Sequence, residues 1–399
     1  MKKVFLSLGL AALLLGPLAP AARAWGVAGH RAVTQVAVYE LPSGMQAFYF
    51  RHMPQLVRLS SSFNERPAAG NEDFGKHYLM IDHFAESNPF TKMPHDFDQA
   101  SVKFTADTLR KYGTLPWAII EVKNKLVAAF GARDTTAIIQ ASAELSSLTA
   151  DAFAPLHTTV NYNGQYTNQP EIQALWETQL PDKYLPDYKL VGEEAKVLKN
   201  LPESVWLSLV ASHRFLVPTF DLEAKVEKEG HFTPQTKYAF AHRQGRTVRR
   251  YSDAFVEAYE KAVGEQVAFR LQSAAPLIAS LWLSAWQEAG HPDLAGLMPT
   301  PKLRNDEKQA LETQLKAWKA NTLAQSNLLL ALQKDKKVVA ADDIQAASGE
   351  AAPPPPPEAA PVAPAAPGTA PAKVKVKTKT PAAPPVKQKA KPKSSDGWD

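Results

Sequence analysis

The 399-residue chain carries 45 Lys and Arg against 40 Asp and Glu, with 32 prolines and no cysteine. Its net charge of +5 resides in residues 351–399, where eight lysines face three acids; residues 25–350 hold 34 basic and 37 acidic side chains. This excludes a uniformly basic domain that coats nucleic acid, and the lack of cysteine excludes disulfides as a source of stability.

The N-terminus reads as an export signal. Lys2 and Lys3 precede an apolar run from Val4 to Leu15, and Ala22-Arg23-Ala24 is a small-x-small cleavage site. The apolar run is too short for a comfortable membrane span. Residues 1–24 are therefore expected to be removed, which places the protein in the periplasm or outside the cell. Cleavage after Ala24 would leave Trp25 as the first residue, with a free α-amine. No later stretch reaches about 18 consecutive apolar residues.

Beyond the signal, helical spacing recurs and strand signals are scarce. Helices are expected over Phe97–Tyr112, Trp117–Phe130 and Asp134–Phe153, the last ended by Pro155. Pro202–Leu216 follows, with proline in its first turn. Ser252–Gly290 reads as one long or two shorter buried helices through Phe255, Tyr259, Val263, Leu271, Leu277, Leu281 and Trp286. Asn305–Lys336 is charged and amphipathic. Stretches 55–76 and 158–170 are rich in Ser, Asn, Gly and Thr and read as loops. The fold class is thus all-α, one domain over residues 25–340. Residues 345–399 are Ala/Pro/Lys low complexity and are expected to be disordered. Pro353–Pro357 favours polyproline II. The alternating lysines from Lys373 to Lys379 read either as a solvated appendage or as a non-specific arm for anionic surfaces.

Ten histidines make placement informative. His30 closes Trp25-Gly26-Val27-Ala28-Gly29-His30. His77 opens His77-Tyr78-Leu79-Met80-Ile81-Asp82. Asp151 and His157 bracket Asp151-Ala152-Phe153-Ala154-Pro155-Leu156-His157, and Glu177 ends Gln173-Ala174-Leu175-Trp176-Glu177. Taken singly, each has a bland reading: a packed or surface histidine, a helix-end acid. No HExxH pair is present.

Taken in order, these segments resemble the zinc-dependent phospholipase C and single-strand-specific (P-one type) nuclease family, with Gly113-Thr114-Leu115-Pro116-Trp117 and Asn161-Tyr162-Asn163-Gly164 as further similar stretches. The resemblance runs from Trp25 to about Trp286. It implies a secreted all-α hydrolase that uses three clustered zinc ions to cleave phosphodiester bonds of nucleic acid or phospholipid. It also implies that one zinc is held by the amine and carbonyl of Trp25, His30 and a bridging Asp151, the residue expected to be central to catalysis. A second would take His77, Asp151 and two positions occupied here by Asn64 (or, shifted by one, Glu65) and Ser147. A third would take His157, Glu177 and a position occupied by Gln173.

Asn64, Ser147 and Gln173 are thus substituted ligands. Each stays polar, but neutral oxygens are poor zinc donors beside imidazole or carboxylate. Ser147 and Asp151, like Gln173 and Glu177, stand at i and i+4, so the spacing for chelation is kept. Fewer than three zinc ions are expected, with His83 and His95 as possible replacement ligands. Two functions follow: an exported metal-dependent phosphodiesterase-like hydrolase, or a catalytically impaired member serving as an envelope binding or structural protein.

Overall fold

A computed structural model describes residues 25–62, 72–243 and 246–333. The fold is all-α, as expected. Among the described residues its one sheet is a two-stranded hairpin, Tyr238–Arg243 with Arg246–Tyr251. All described residues fall in one compact unit. Residues 1–24, expected to be an export signal, and the Pro/Ala/Lys tail lie outside them, as does Asn64.

Twelve of the thirteen residues of helix Val27–Tyr39 are buried. A helix enclosed on every side must satisfy its polar side chains internally. Thr34 shares a 2.6 Å hydrogen bond with Ser146, and Arg31 Nε donates to Ser61 at 3.0 Å. Gln35 donates to the carbonyl of Leu328 at 2.8 Å and accepts from the amide of Leu330 at 2.7 Å, tying the last described segment to this helix. Helices Ser43–Ser62, Thr135–Asp151 and the 36-residue Asp253–Glu288 pack around it. Trp282 stacks on Tyr49, with ring centroids 4.8 Å apart, and donates to the Ser142 carbonyl at 3.1 Å; full burial of such rings contributes about 1.5–3 kcal/mol each.

Several expected boundaries move. The segment 97–112 is two helices, Phe97–Phe104 and Ala106–Tyr112, because Thr105 takes φ 65° and accepts from the amide of Thr108 as an N-cap. Residues 55–62 are helix, not loop: Ser60, Ser61 and Ser62 each donate back to the carbonyl three residues before. Leu201–Arg214 is followed at once by an unanticipated helix, Leu216–Glu229. The C-terminal amphipathic helix stops at Lys319. Thr135–Asp151 is bounded as its sequence suggests, with Asp134 accepting from Ala137 N at 3.0 Å, a cap contributing about 1 kcal/mol.

Candidate metal centre

Asp151 is the last residue of its helix and is wholly buried. A carboxylate there meets the negative end of the helix dipole, which costs about 0.3–1 kcal/mol, so local stability does not explain it. Its two oxygens face different imidazoles. Oδ2 lies 2.7 Å from Nδ1 of His77, and Oδ1 lies 3.3 Å from Nε2 of His30. Burial would raise this carboxyl, but His30, with His77 and His157 beyond it, holds it well below the usual carboxylate range.

Trp25 is folded against the same helix end. Its indole donates to the Ala150 carbonyl at 2.8 Å and its ring lies 4.8 Å from that of Trp176. A Cβ at Gly29 would come within 3.2 Å of Trp25 Cβ, so this glycine in the first turn of helix Val27–Tyr39 leaves room for the Trp25 side chain. The amide of Gly26 donates to the Glu177 carbonyl at 2.7 Å. Trp25 thus sits between the segments carrying Asp151 and Glu177.

His77 ends the 3-10 helix Glu72–His77, and the chain that follows it is held on both sides. Leu79 N donates to the His157 carbonyl at 2.9 Å, and Met80 N to that of Tyr112 at 2.8 Å. Gly113, at φ 109°, admits the Tyr78 carbonyl where a Cβ would lie 2.0 Å from it. His157 Nδ1 donates to the His77 carbonyl, which turns Nε2 toward Glu177 Oε2 at 3.4 Å and the Gln173 amide at 3.3 Å. Burial would lower the His157 imidazole; Glu177, aided by Asp151, instead holds it up to about 9. Burial pushes the Glu177 carboxyl up. Gln173 and Glu177 lie across the junction of a short helical turn and a π-turn over Leu175–Gln179, so their convergence on His157 does not rest on ordinary i, i+4 spacing.

Ligands held about 2.0–2.2 Å from one tetrahedral zinc lie about 3.3–3.6 Å apart. The His30–Asp151 and His157–Glu177 separations match that edge, whereas Gln173 faces His157 with its amide nitrogen, which donates a hydrogen bond and cannot bind a metal. The 2.7 Å His77–Asp151 contact falls short of that edge; it is a direct hydrogen bond. Both ring nitrogens of His30, Asp151 Oδ1, both Glu177 oxygens and Ser147 Oγ are buried without a hydrogen-bond partner. Each such orphan costs about 1–3 kcal/mol unless a ligand satisfies it. Among the described residues no group of three or more His, Cys, Asp or Glu side chains gathers as a metal site. Each point has two strong donors, so His30 and Asp151 could hold one ion only with the Trp25 main chain as further donor. His157 and Glu177 could hold a second only more weakly.

Three residues without an assigned role in the sequence position this cluster. Asp82 accepts from Thr159 Oγ1 at 2.5 Å and Val160 N at 2.9 Å, fixing the chain just past His157. Its signal was a lone acid in an apolar stretch after His77. Arg270, buried among apolar neighbours in its helix, donates to the Phe153 carbonyl at 3.0 Å; burial lowers its guanidinium to about 9. His213 shares a 3.0 Å hydrogen bond with Thr158, and nothing in the sequence pointed to it. His83 and His95 are engaged elsewhere, stacked on Tyr112 and Trp206.

No known family model matches the chain, and no curated protein is significantly similar to it.

Proposed function

We propose that the chain is an exported metal-dependent hydrolase of phosphodiester bonds, of the phospholipase C or single-strand nuclease type. The observation that supports this most is the Asp151 carboxylate, sealed from solvent and turned toward two imidazoles, with Oδ1 3.3 Å from His30 Nε2 and neither atom in a hydrogen bond. A zinc ion in such a place supplies Lewis acidity, lowering the pKa of a water and neutralising charge on phosphoryl oxygens. Asp151 orients His77 through Oδ2 and keeps Oδ1 toward His30. The His77 carbonyl fixes the His157 tautomer, and Asp82 and Arg270 hold the flanking turns. With the signal removed, the Trp25 amine would join the cluster at a position that is wholly buried.

The test is elemental analysis of the mature protein beside hydrolysis of single-stranded DNA and a lecithin-type substrate. Asp151→Asn is expected to lose metal and turnover together. A parent that holds no zinc and cleaves neither substrate would overturn the reading. Intact mass should place the first residue at Trp25.

The direct His77–Asp151 hydrogen bond and the neutral Ser147 and Gln173 favour a second reading, a binding or structural protein of the cell envelope on the same frame. That reading expects no metal. In either case the lysines of residues 373–393 are read as an electrostatic arm for anionic surfaces.

A further inference from the structure

We propose that the Tyr238–Tyr251 hairpin and the groove at its foot bind a neutral, hydroxyl-rich ligand, an oligosaccharide with one sugar ring stacked on Phe240. The site lies in residues outside the centre at Asp151, and it does not depend on the phosphodiesterase reading.

The hairpin register sets Phe240 opposite Arg249 and Tyr238 opposite Tyr251, so strand alternation puts these four side chains on one face. Tyr251 is wholly buried and anchors that face, whereas Phe240 is 73% exposed, the most exposed aromatic ring among the described residues. The groove beside it measures about 330 Å³, within the size range of small-molecule clefts. Pro170 and Pro234 give it apolar walls, and Asn168, Glu227 and Arg249 give it polar ones.

The charges around the groove are balanced from within. Lys237 faces both Glu223, at 2.7 Å, and Glu227, at 2.6 Å. Arg249 lies beside Glu171, whose carboxyl burial pushes up and that guanidinium draws down. Two cations thus meet three carboxylates, so an anionic ligand would find no unbalanced positive charge. A cationic ligand would meet Lys237 and Arg249 in the lining. An apolar one would strip water from the polar walls without replacing its hydrogen bonds. A neutral ligand with many hydroxyls meets none of these costs.

Hydrogen-bonding capacity remains where net charge does not. Glu227 receives Lys237 on Oε2. Among the described residues its Oε1, the Arg249 guanidinium and the Asn168 amide take part in no hydrogen bond, and all three side chains line the groove. They supply an acceptor, a fork of donors and a group that does both, the set that neighbouring ring hydroxyls use. The C–H face of a sugar ring suits the electron-rich face of Phe240. The walls are braced before a ligand arrives, which lowers the ordering cost of binding. Gln169, next to Asn168 and buried, donates to the Phe220 carbonyl at 2.7 Å and to Glu223 at 2.6 Å. The Arg249 guanidinium lies 5.1 Å over the Tyr238 ring, and Lys237 Nζ lies 5.4 Å from that ring on its own account.

The experiment is isothermal titration calorimetry of the full mature chain, in EDTA, with cellohexaose, maltohexaose and chitohexaose. At least one is expected to bind, with an affinity that salt leaves unchanged because no ion pair forms. Phe240→Ala is expected to weaken that binding about tenfold, and Phe240→Trp, which keeps a ring face, to retain it. Asn168→Ala is expected to weaken it about three- to tenfold. Both positions are exposed, so these variants should melt with the parent, and Val102→Ala, on the exposed side of helix Phe97–Phe104, serves as the unaffected control. Co-sedimentation with cellulose, starch or chitin, lost in Phe240→Ala, would assign the ligand to a polymer; binding of the hexamer alone would assign it to a free oligosaccharide. A parent that binds none of the three sugars, or binding that Phe240→Ala leaves unchanged, would overturn the proposal. So would an affinity that falls steeply with salt, or loss of oligo(dT) binding in Phe240→Ala in place of sugar binding. Metal and turnover play no part in these measurements, so a failure of the phosphodiesterase reading leaves them unaffected.

Discussion

Lys237 Nζ lies 2.7 Å from Glu223 Oε1 with both side chains closed off from solvent. This one carboxylate joins helix Leu216–Glu229, the hairpin and the loop after His157. Removing one member of a buried pair strands the other charge. Lys237→Met is therefore expected to lower stability by about 3–5 kcal/mol in urea denaturation. The Lys237→Met/Glu223→Leu double variant should cost less than the sum of its parts. Additive losses would show that the two do not act as a pair.

Glu40 follows the buried N-terminal helix with both carboxylate oxygens enclosed and unpartnered. Burial, with Glu193 nearby, pushes its carboxyl from 4.5 up to about 10. Between those values the folded state keeps a proton that the unfolded chain releases, so this residue lowers stability progressively as pH rises through that window. Glu40→Gln is expected to flatten the decline, its advantage over the parent growing by a few kcal/mol, on the order of the linkage involved, between mildly acidic and alkaline melts. An advantage equal at both ends would contradict this account.

Arg270 is a buried cation bonded to main-chain carbonyls and to Ser212, without a carboxylate partner among the described residues. Arg270→Met leaves those acceptors unsatisfied and should cost about 2–4 kcal/mol. Arg270→Lys should recover only part of it, because lysine lacks the planar fork. Thermal melts of the two variants decide; equal stability of Met and Lys would argue against a hydrogen-bonding role.

The centre should be repairable by sequence. Gln173 already lies 3.3 Å from His157 Nε2, and Ser147 sits unpartnered one turn before Asp151. Gln173→His and Ser147→His, with Asn64→Asp added, are expected to raise zinc per chain and phosphodiesterase rate together. The effects should be non-additive, because ligands of one cluster act as a unit. A folded triple variant with no more zinc than the parent would mean that these positions do not face a metal.

Deleting residues 351–399 should leave the melting temperature within about 1 °C of the parent. That segment has too little apolar content to join a core, and the core described within residues 25–333 is closed without it. Only binding to anionic partners should fall. A lower melting temperature would show that the segment docks.

Much of this was legible in the sequence where local chemistry and burial agree. Asp134 and Pro155 bracket the Thr135–Asp151 helix as a cap and a stop, and the motif order brought His30, His77 and Asp151 to one place. Helix Leu216–Glu229 escaped notice because its buried face includes Thr219 and Glu223 while Val217 is exposed, which blurs the apolar period. The hairpin escaped because only Thr247 and Val248 are β-branched; the alternation Tyr238, Phe240, His242 was its one signal. The three-serine helix end read as loop because side-chain bonds to the preceding turn are invisible to periodicity.

The grip of Gln35 on Leu328 and Leu330 spans nearly 300 residues, 293 and 295 positions along the chain. The same helix carries His30 to Asp151. Its enclosure is therefore completed only when the far end of the folded body has been synthesised and released. Contacts of such separation form late, after more local structure. A chain that ends before Leu328 lacks the segment that closes this helix, so the surroundings of His30 and Asp151 are completed only once the far end of the body has joined them.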